Sequence, residues 1–248
     1  MGERLLIKGI IFDLGNTLLQ FTGDSLAVQR EGAEAMADWY LKKRHIKLDG
    51  PALVETFLAE RAAGRAVAIE TQMEVTAQQS LSETLKKIEA PATAVALVEA
   101  AIKVYFAPEE ALYSPYPDTV ETLKQLKRHG YRLGLYSNAT DDKLVQRLIN
   151  QGGLRPWLSP TFSSAAWGWR KPKPEPFALI AGRWGLSPAE VVVVGDTLNA
   201  DILGAQNAGM RGILAAMDES PLNETNGHIQ PVATVTTLAA LPEIIGQL

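Results

Sequence analysis

Residues 12–18 read Phe12-Asp13-Leu14-Gly15-Asn16-Thr17-Leu18 and follow directly on the apolar run Ile7-Lys8-Gly9-Ile10-Ile11. From Leu5 to Phe12 the chain carries Leu, Ile and Phe with little polar alternation, the pattern of a strand buried on both faces. An aspartate at the end of such a strand is held out towards a crevice. Taken alone, Asp13 also reads as a simple helix N-cap. Two residues further on, where a second acid would be useful, stands Gly15.

Working outward, the same arrangement recurs. The stretch 131–138, YRLGLYSN, predicts a strand ending in Ser137 and Asn138, and 191–196, VVVVGD, predicts one ending in Asp196, with Asp201 five residues on. TFSS at 161–164 predicts a short strand, followed by the loop WGWRKPKP that carries Lys171. GILAA at 212–216 is a further strand. Helical stretches lie between them: PDTVETLKQLKRHG, DDKLVQRLINQGG, PEPFALIAGRWG, NADILGAQNAGM and a closing LAALPEIIGQL. Alternation of this kind predicts an α/β fold, a Rossmann-like core with a parallel sheet and right-handed crossovers. All the polar clusters then project at one sheet edge, where ligands bind.

The alternation is interrupted once. From about Ser25 to Ala107 the pattern is helical: Ala33, Met36, Ala37, Tyr40 and Leu41 fall at three- and four-residue spacing. PALVETFLAERAAG predicts a second helix, with Pro51 early and Gly64 as its stop. TQMEVTAQQSLSETLKKIEA and PATAVALVEAAIKVYFA predict two more. The division expected is a core of residues 1–20 and 112–248 and a helical cap of residues 21–111, placed at the crevice edge as a lid would be. Trp39, Tyr40, Phe57, Tyr105 and Phe106 are candidates for a pocket lining, although aromatics at helical spacing are more often core. The stretch Met217 to Pro231 is Pro-, Asn- and Gly-rich and reads as a surface loop.

The bulk properties fit this picture. The chain has 248 residues, 46% hydrophobic and 21% charged, enough to bury a sizeable core. A net charge of −4 argues against nucleic acid as partner, even with tryptophans beside the short basic loop. Without cysteine there are no disulfides, thiolate metal sites or thiol catalysis. The opening apolar run is too short to span a membrane, so a cytoplasmic protein without membrane association is expected. Oligomeric state is not legible.

Each polar cluster alone has a plain structural reading: a turn at Ser137-Asn138, a capped helix start at Asp196-Thr197, a solvated loop at Lys171. At successive strand ends they make a chemical set. Converging carboxylates repel unless a hard cation lies between them, and oxygen ligands favour Mg²⁺ with a substrate phosphate completing its shell.

The ordered motifs FDLGNTL, YSN, RKPKPEPF and VVVVGDTLNADILGAQNAGM resemble those of the haloacid dehalogenase superfamily of hydrolases across nearly the whole chain. The resemblance implies Mg²⁺ and phosphoryl transfer from a small phosphorylated metabolite through an aspartyl-phosphate. By position it makes Asp13 the nucleophile, Ser137 and Asn138 the phosphate-binding pair, and Lys171 the charge-neutralising lysine. Asp13, Asp196 and the Gly15 backbone carbonyl would hold the metal, with Thr17 and Asp201 in support. Lys173 stands where the family usually has Asp.

Gly15 is the larger departure. The family's phosphatases usually place there the acid that protonates the leaving group, although some relatives carry DLGN. Acid–base catalysis contributes about 10²–10⁴-fold, so activity is expected to be weakened, or the acid relocated to Asp24, Glu31, His45 or Asp141. The alternative is a catalytically degenerate phosphoryl- or partner-binding protein. A dehalogenase is disfavoured by Asp196, and a phosphonatase would need a cap lysine such as Lys42, Lys43 or Lys47.

Overall fold

The computed structural model describes residues 6–91, 94–218 and 228–248. Its core is a six-stranded, wholly parallel sheet in the order β5-β4-β1-β6-β7-β8. The strands are β1 (Gly9–Phe12), β4 (Arg132–Ser137), β5 (Thr161–Ser163), β6 (Val191–Gly195), β7 (Arg211–Ala215) and β8 (Ala233–Val235). β1 is central, flanked by β4 and β6. All four of its residues and all five of β6 are buried.

That burial explains the unbroken valine run. Side chains alternate between the two faces of a strand. Ile10, Phe12, Val192 and Val194 enter one apolar cluster, whereas Ile11, Val191 and Val193 enter another with Phe177, Ile180 and Trp184. Those last three belong to α8 (Glu175–Trp184). Helices α5 (Thr119–Arg128), α6 (Asp142–Gln151) and α9 (Leu241–Gln247) cover the first face, placing Leu123, Leu148 and Ile245 in the first cluster. Strand β1 begins at Gly9, later than the apolar run beginning at Leu5 suggested, and Leu5 lies outside the described residues. Gly9 has a packing reason: a Cβ there would lie 2.8 Å from the Trp184 ring.

The helical segment after β1 comprises α1 (Ser25–Asp38), α2 (Gly50–Thr71), α3 (Ala77–Lys87) and α4 (Val95–Glu110). A π-helical turn, Trp39–Lys43, prolongs α1. Gly64 does not stop α2, which runs seven residues past it. Its missing side chain makes room for Val75 instead, whose Cγ1 lies 2.8 Å from where a Cβ would be. The third predicted helix also starts late. Residues 72–76 are not helical, and Thr76 caps α3 in a reciprocal capping box with Gln79. Tyr40, Phe57 and Tyr105 are fully buried, with Phe57 and Tyr105 in edge-to-face contact at 4.9 Å. They form the core of the insertion, as the helical spacing favours.

Two short strands bracket the insertion and have no counterpart in the sequence reading. β2 (Leu19–Phe21) pairs antiparallel with β3 (Tyr113–Pro115). β8 and a single-turn helix α7 (Ser164–Trp167) were likewise not expected. Of the loop expected between Met217 and Pro231, residues 219–227 lie outside the described residues. No described helix is long and apolar enough to cross a membrane.

Glycines at two positions predict stability changes of opposite sign. Gly9→Ala drives a methyl into Trp184 and is expected to lower stability by about 1–3 kcal/mol. Gly182→Ala, inside α8 with nothing within 4 Å, is expected to raise it by about 0.5–1 kcal/mol. Urea unfolding midpoints of the two variants measure both.

Candidate active site

Because β1, β4, β5 and β6 run parallel, their C-terminal ends lie along one edge, and a cavity of about 930 Å³ opens there beneath the helical insertion. Asp13, Gly15, Ser137, Asn138, Lys171, Asp196 and Asp201 all line it. Seven of the eight expected site residues are thus brought together. Thr17 is the exception: it is fully buried off the cavity, and its hydroxyl finds no partner among the described residues.

Lys171 is the centre of the arrangement. Its side chain is 2% exposed, and its ammonium donates to Asp13 Oδ1 and, at 2.6 Å, to Asp201 Oδ1. Its backbone is held by Asn138, whose Oδ1 accepts from Lys171 N at 2.8 Å while its Nδ2 donates to Lys171 O at 3.1 Å. The Asn138 side chain is therefore committed to the lysine loop. Ser137, buried at the end of β4, lines the cavity.

The two acids after β6 do different work. Asp196 continues from the strand end and accepts from the Thr197 hydroxyl at 3.2 Å. Asp201 lies in a π-helical turn, Leu198–Ile202, and accepts from Thr197 N at 3.1 Å as well as from Lys171. Gly195 permits that approach: a Cβ there would lie 2.1 Å from Asp201 Cγ. The first motif is shaped by a left-handed residue, Asn16 at φ +53°, whose Oδ1 accepts from Phe21 N. Asparagine adopts that conformation at low cost.

Electrostatics follow from enclosing three carboxylates with one ammonium. Burial pushes the Asp13 carboxyl up to about 8, against the pull of Lys171, with Asp201 and Asp196 adding to the rise. Burial and the Asp201 charge push Asp196 up to about 6. Burial alone would lower Lys171, but Asp13 and Asp201 more than reverse this and hold it above its ordinary value, so it stays charged.

The relocated acids suggested by sequence are elsewhere. Asp24, Glu31, His45 and Asp141 do not line the cavity. Asp24 caps α1, and Asp141 caps α6 while accepting from Gln78 Nε2 at 2.6 Å. The cavity wall contains instead Glu109, at the end of α4, and Tyr113, at the start of β3. Burial raises both above their usual values, and for Tyr113 the charges of Glu109, Asp13 and Asp196 add to this. Of the five aromatic candidates for a pocket lining, Phe106 alone reaches the wall.

Sequence reasoning also missed Glu74. It belongs to the non-helical link between α2 and α3, yet its side chain is 1% exposed. It accepts from the Ser164 hydroxyl and, at 2.5 Å, from Arg170 Nη1. Around it the backbone pairs across to the core: Glu74 N to Gly168 O at 2.7 Å, Arg170 N to Gln72 O at 2.9 Å and Ala77 N to Thr140 O at 2.9 Å. A glutamate among polar neighbours carries no sequence signal for such a role.

The raised Asp196 gives a pH prediction. A carboxyl whose folded value, about 6, exceeds its ordinary 3.8 destabilises the native state above pH 6, and the penalty disappears as pH falls towards 4. In metal-chelating buffer, Asp196→Asn is expected to melt several degrees above the parent at pH 7, with the gap closing by pH 4. Thermal melts across that range check it.

The chain has known relatives. The chain is 27% identical over 242 residues to a glyceraldehyde 3-phosphate phosphatase of Methanothermobacter thermautotrophicus, covering 97% of this chain and all of that one. It is 28% identical over 205 residues to the protein of the same name from Methanocaldococcus jannaschii, 83% of each chain. Its fold matches the crystal structure of a 2-haloacid dehalogenase from Pseudomonas syringae pv. Tomato, with a TM-score of 0.73, 24% identity, and 98% and 99% of the two chains covered. Residues 7–209, from before β1 to beyond the motif that carries Asp196 and Asp201, match the haloacid dehalogenase-like hydrolase family, and the chain belongs to it.

Proposed function

We propose that this hydrolase is a Mg²⁺-dependent phosphatase of a small phosphorylated metabolite, acting through an aspartyl-phosphate on Asp13. The observation that carries the reading is the buried Lys171 ammonium bonded to Asp13 at the wall of the cavity. There a carboxylate can attack phosphorus while a fixed positive charge faces the phosphoryl oxygens. Phosphoryl transfer depends chiefly on such positioning and charge stabilisation. The names of the two Methanothermobacter and Methanocaldococcus relatives, which specify a three-carbon phosphorylated substrate, support a small metabolite.

In this reading Asp13 is the nucleophile. Lys171 steadies the charge that develops on the transferring group, and Asp201 and Asn138 position Lys171. The Ser137 hydroxyl and the Asn138 backbone N–H bind phosphate. Residues 21–111 act as a cap over a core of 1–20 and 112–248, and Thr17 supports the first motif from behind.

The donor set fits magnesium. Among the described residues no three His, Cys, Asp or Glu side chains form a complete cage, and magnesium needs none, since one or two carboxylates with waters and substrate phosphate suffice. Asp13, Asp196 and the Gly15 carbonyl would hold it, and an ion there would offset the burial and the neighbouring carboxylate charges that raise both carboxyl groups. Bound there, the ion supplies Lewis-acid polarisation of a phosphoryl oxygen.

The test is phosphate release from a panel of two- to four-carbon phosphate esters and p-nitrophenyl phosphate, with Mg²⁺ or with EDTA. Release that requires Mg²⁺ and falls on the order of 10³-fold or more in Asp13→Asn is expected. Tight ester binding with no turnover on any substrate would mark a binding protein. Halide release from 2-haloacids that ignores EDTA would mark a dehalogenase.

A further inference from the structure

Gly15 brings no donor to the leaving group from the first motif, but a hydroxyl from another strand reaches the same place. A Cβ built at Gly15 would meet two atoms within 4 Å, Tyr113 Oη at 3.6 Å and Tyr113 Cε1 at 3.7 Å. A carboxylate oxygen lies roughly 2.4 Å from its own Cβ, so the tyrosine hydroxyl borders the volume that an aspartate at position 15 would fill. Of the six tyrosines, Tyr113 alone lines the cavity, in company with Asp13 and Asp196. Tyr136 is committed to Trp169 O and Tyr116 to Asp218, and the hydroxyls of Tyr40 and Tyr105 are buried within the insertion. Among the described residues the Tyr113 hydroxyl has no hydrogen-bond partner.

The position is built rather than incidental. Tyr113 pairs with Phe21 in the β2–β3 ladder, and the two rings pack with centroids 5.1 Å apart. β2 follows the first motif after a turn in which Leu18 N and Leu19 N both donate to Leu14 O at 2.9 Å. The hydroxyl is thus tied to the loop that carries Asp13 by a short and ordered path.

We infer that Tyr113 is a catalytic residue whose hydroxyl donates a hydrogen bond to the leaving-group oxygen, in place of the acid that Gly15 omits. The inference rests on the phosphatase reading above. In the step, a bond forms between an Asp13 carboxylate oxygen and phosphorus as the bond from phosphorus to the leaving oxygen breaks. The electron pair goes to the leaving oxygen, which Tyr113 stabilises while keeping its own proton. Water protonates the departing alkoxide to give the alcohol, and the hydroxide so formed attacks the aspartyl-phosphate, releasing hydrogen phosphate and restoring Asp13. Such a donor matters most for alkoxide leaving groups, so the substrates it suits are alkyl phosphates rather than acyl or aryl phosphates.

The experiment compares the full chain and Tyr113→Phe on phosphate esters of graded leaving-group pKa, from p-nitrophenol to glycerol, with folding checked by circular dichroism. Tyr113→Phe is expected to lower kcat on the alkyl esters by about 10–100-fold, with under about 3-fold change for p-nitrophenyl phosphate and in KM. Gly15→Asp added to Tyr113→Phe is expected to restore alkyl ester turnover. A uniform loss across the series, or none, overturns the donor role while leaving the phosphatase reading intact. So does the graded loss appearing in Glu109→Gln and not in Tyr113→Phe. A folded parent inactive on every ester, p-nitrophenyl phosphate included, removes both.

Discussion

The site depends on one interaction, a buried ammonium held between two buried carboxylates. Lys171 cannot be enclosed with its charge unless Asp13 and Asp201 accompany it, because an unpaired charge in the interior costs several kcal/mol. The three residues come from the end of β1, the loop beyond β5 and the turn after β6, and only a parallel sheet delivers those points to one edge. Other features serve the same contact. Asn138 grips the lysine's backbone from β4, and Gly195 gives up a side chain so that Asp201 can approach. Three carboxylates grouped around one ammonium are what the proposed cation would balance.

Much of this was legible in the sequence because its causes are local. A strand buried on both faces must be apolar throughout, so Gly9–Phe12 and Val191–Gly195 declare themselves, and the polar residue at each end is conspicuous. Asp13, Ser137, Asn138 and Asp196 could be named for that reason, whereas Lys171 and Asp201, in the segments that follow β5 and β6, took their roles from the family resemblance. What stayed hidden depends on partners distant in sequence. β2 and β3 are three residues each and exist only because Leu19–Phe21 meets Tyr113–Pro115 across the whole insertion. Gly64 reads as a helix stop by composition, but its reason is Val75, which packs into the space it leaves. Thr17 sits in the motif yet faces away from the cavity, a matter of how the turn folds rather than of residue type.

The first motif shows how function can be divided between segments. Asn16 in a left-handed conformation and Gly15 without a side chain give a compact turn at the strand end. The space this leaves is met by a residue nearly a hundred positions later, brought back by the closing strand of the insertion. Losing a group from a motif therefore does not by itself mean losing its chemistry, since the ladder that fastens the insertion also presents a hydroxyl to the same cavity.

Glu74 ties the insertion to the loop that carries the lysine. Its carboxylate is enclosed with Arg170, the residue immediately before Lys171, and the backbone on either side is stitched to the core. Swinging the helices away from the sheet would strip a buried carboxylate of its guanidinium and tug directly on the loop that carries Lys171. The position of the helices and the alignment of the lysine are thereby joined at this corner, through one enclosed ion pair and the backbone bonds beside it.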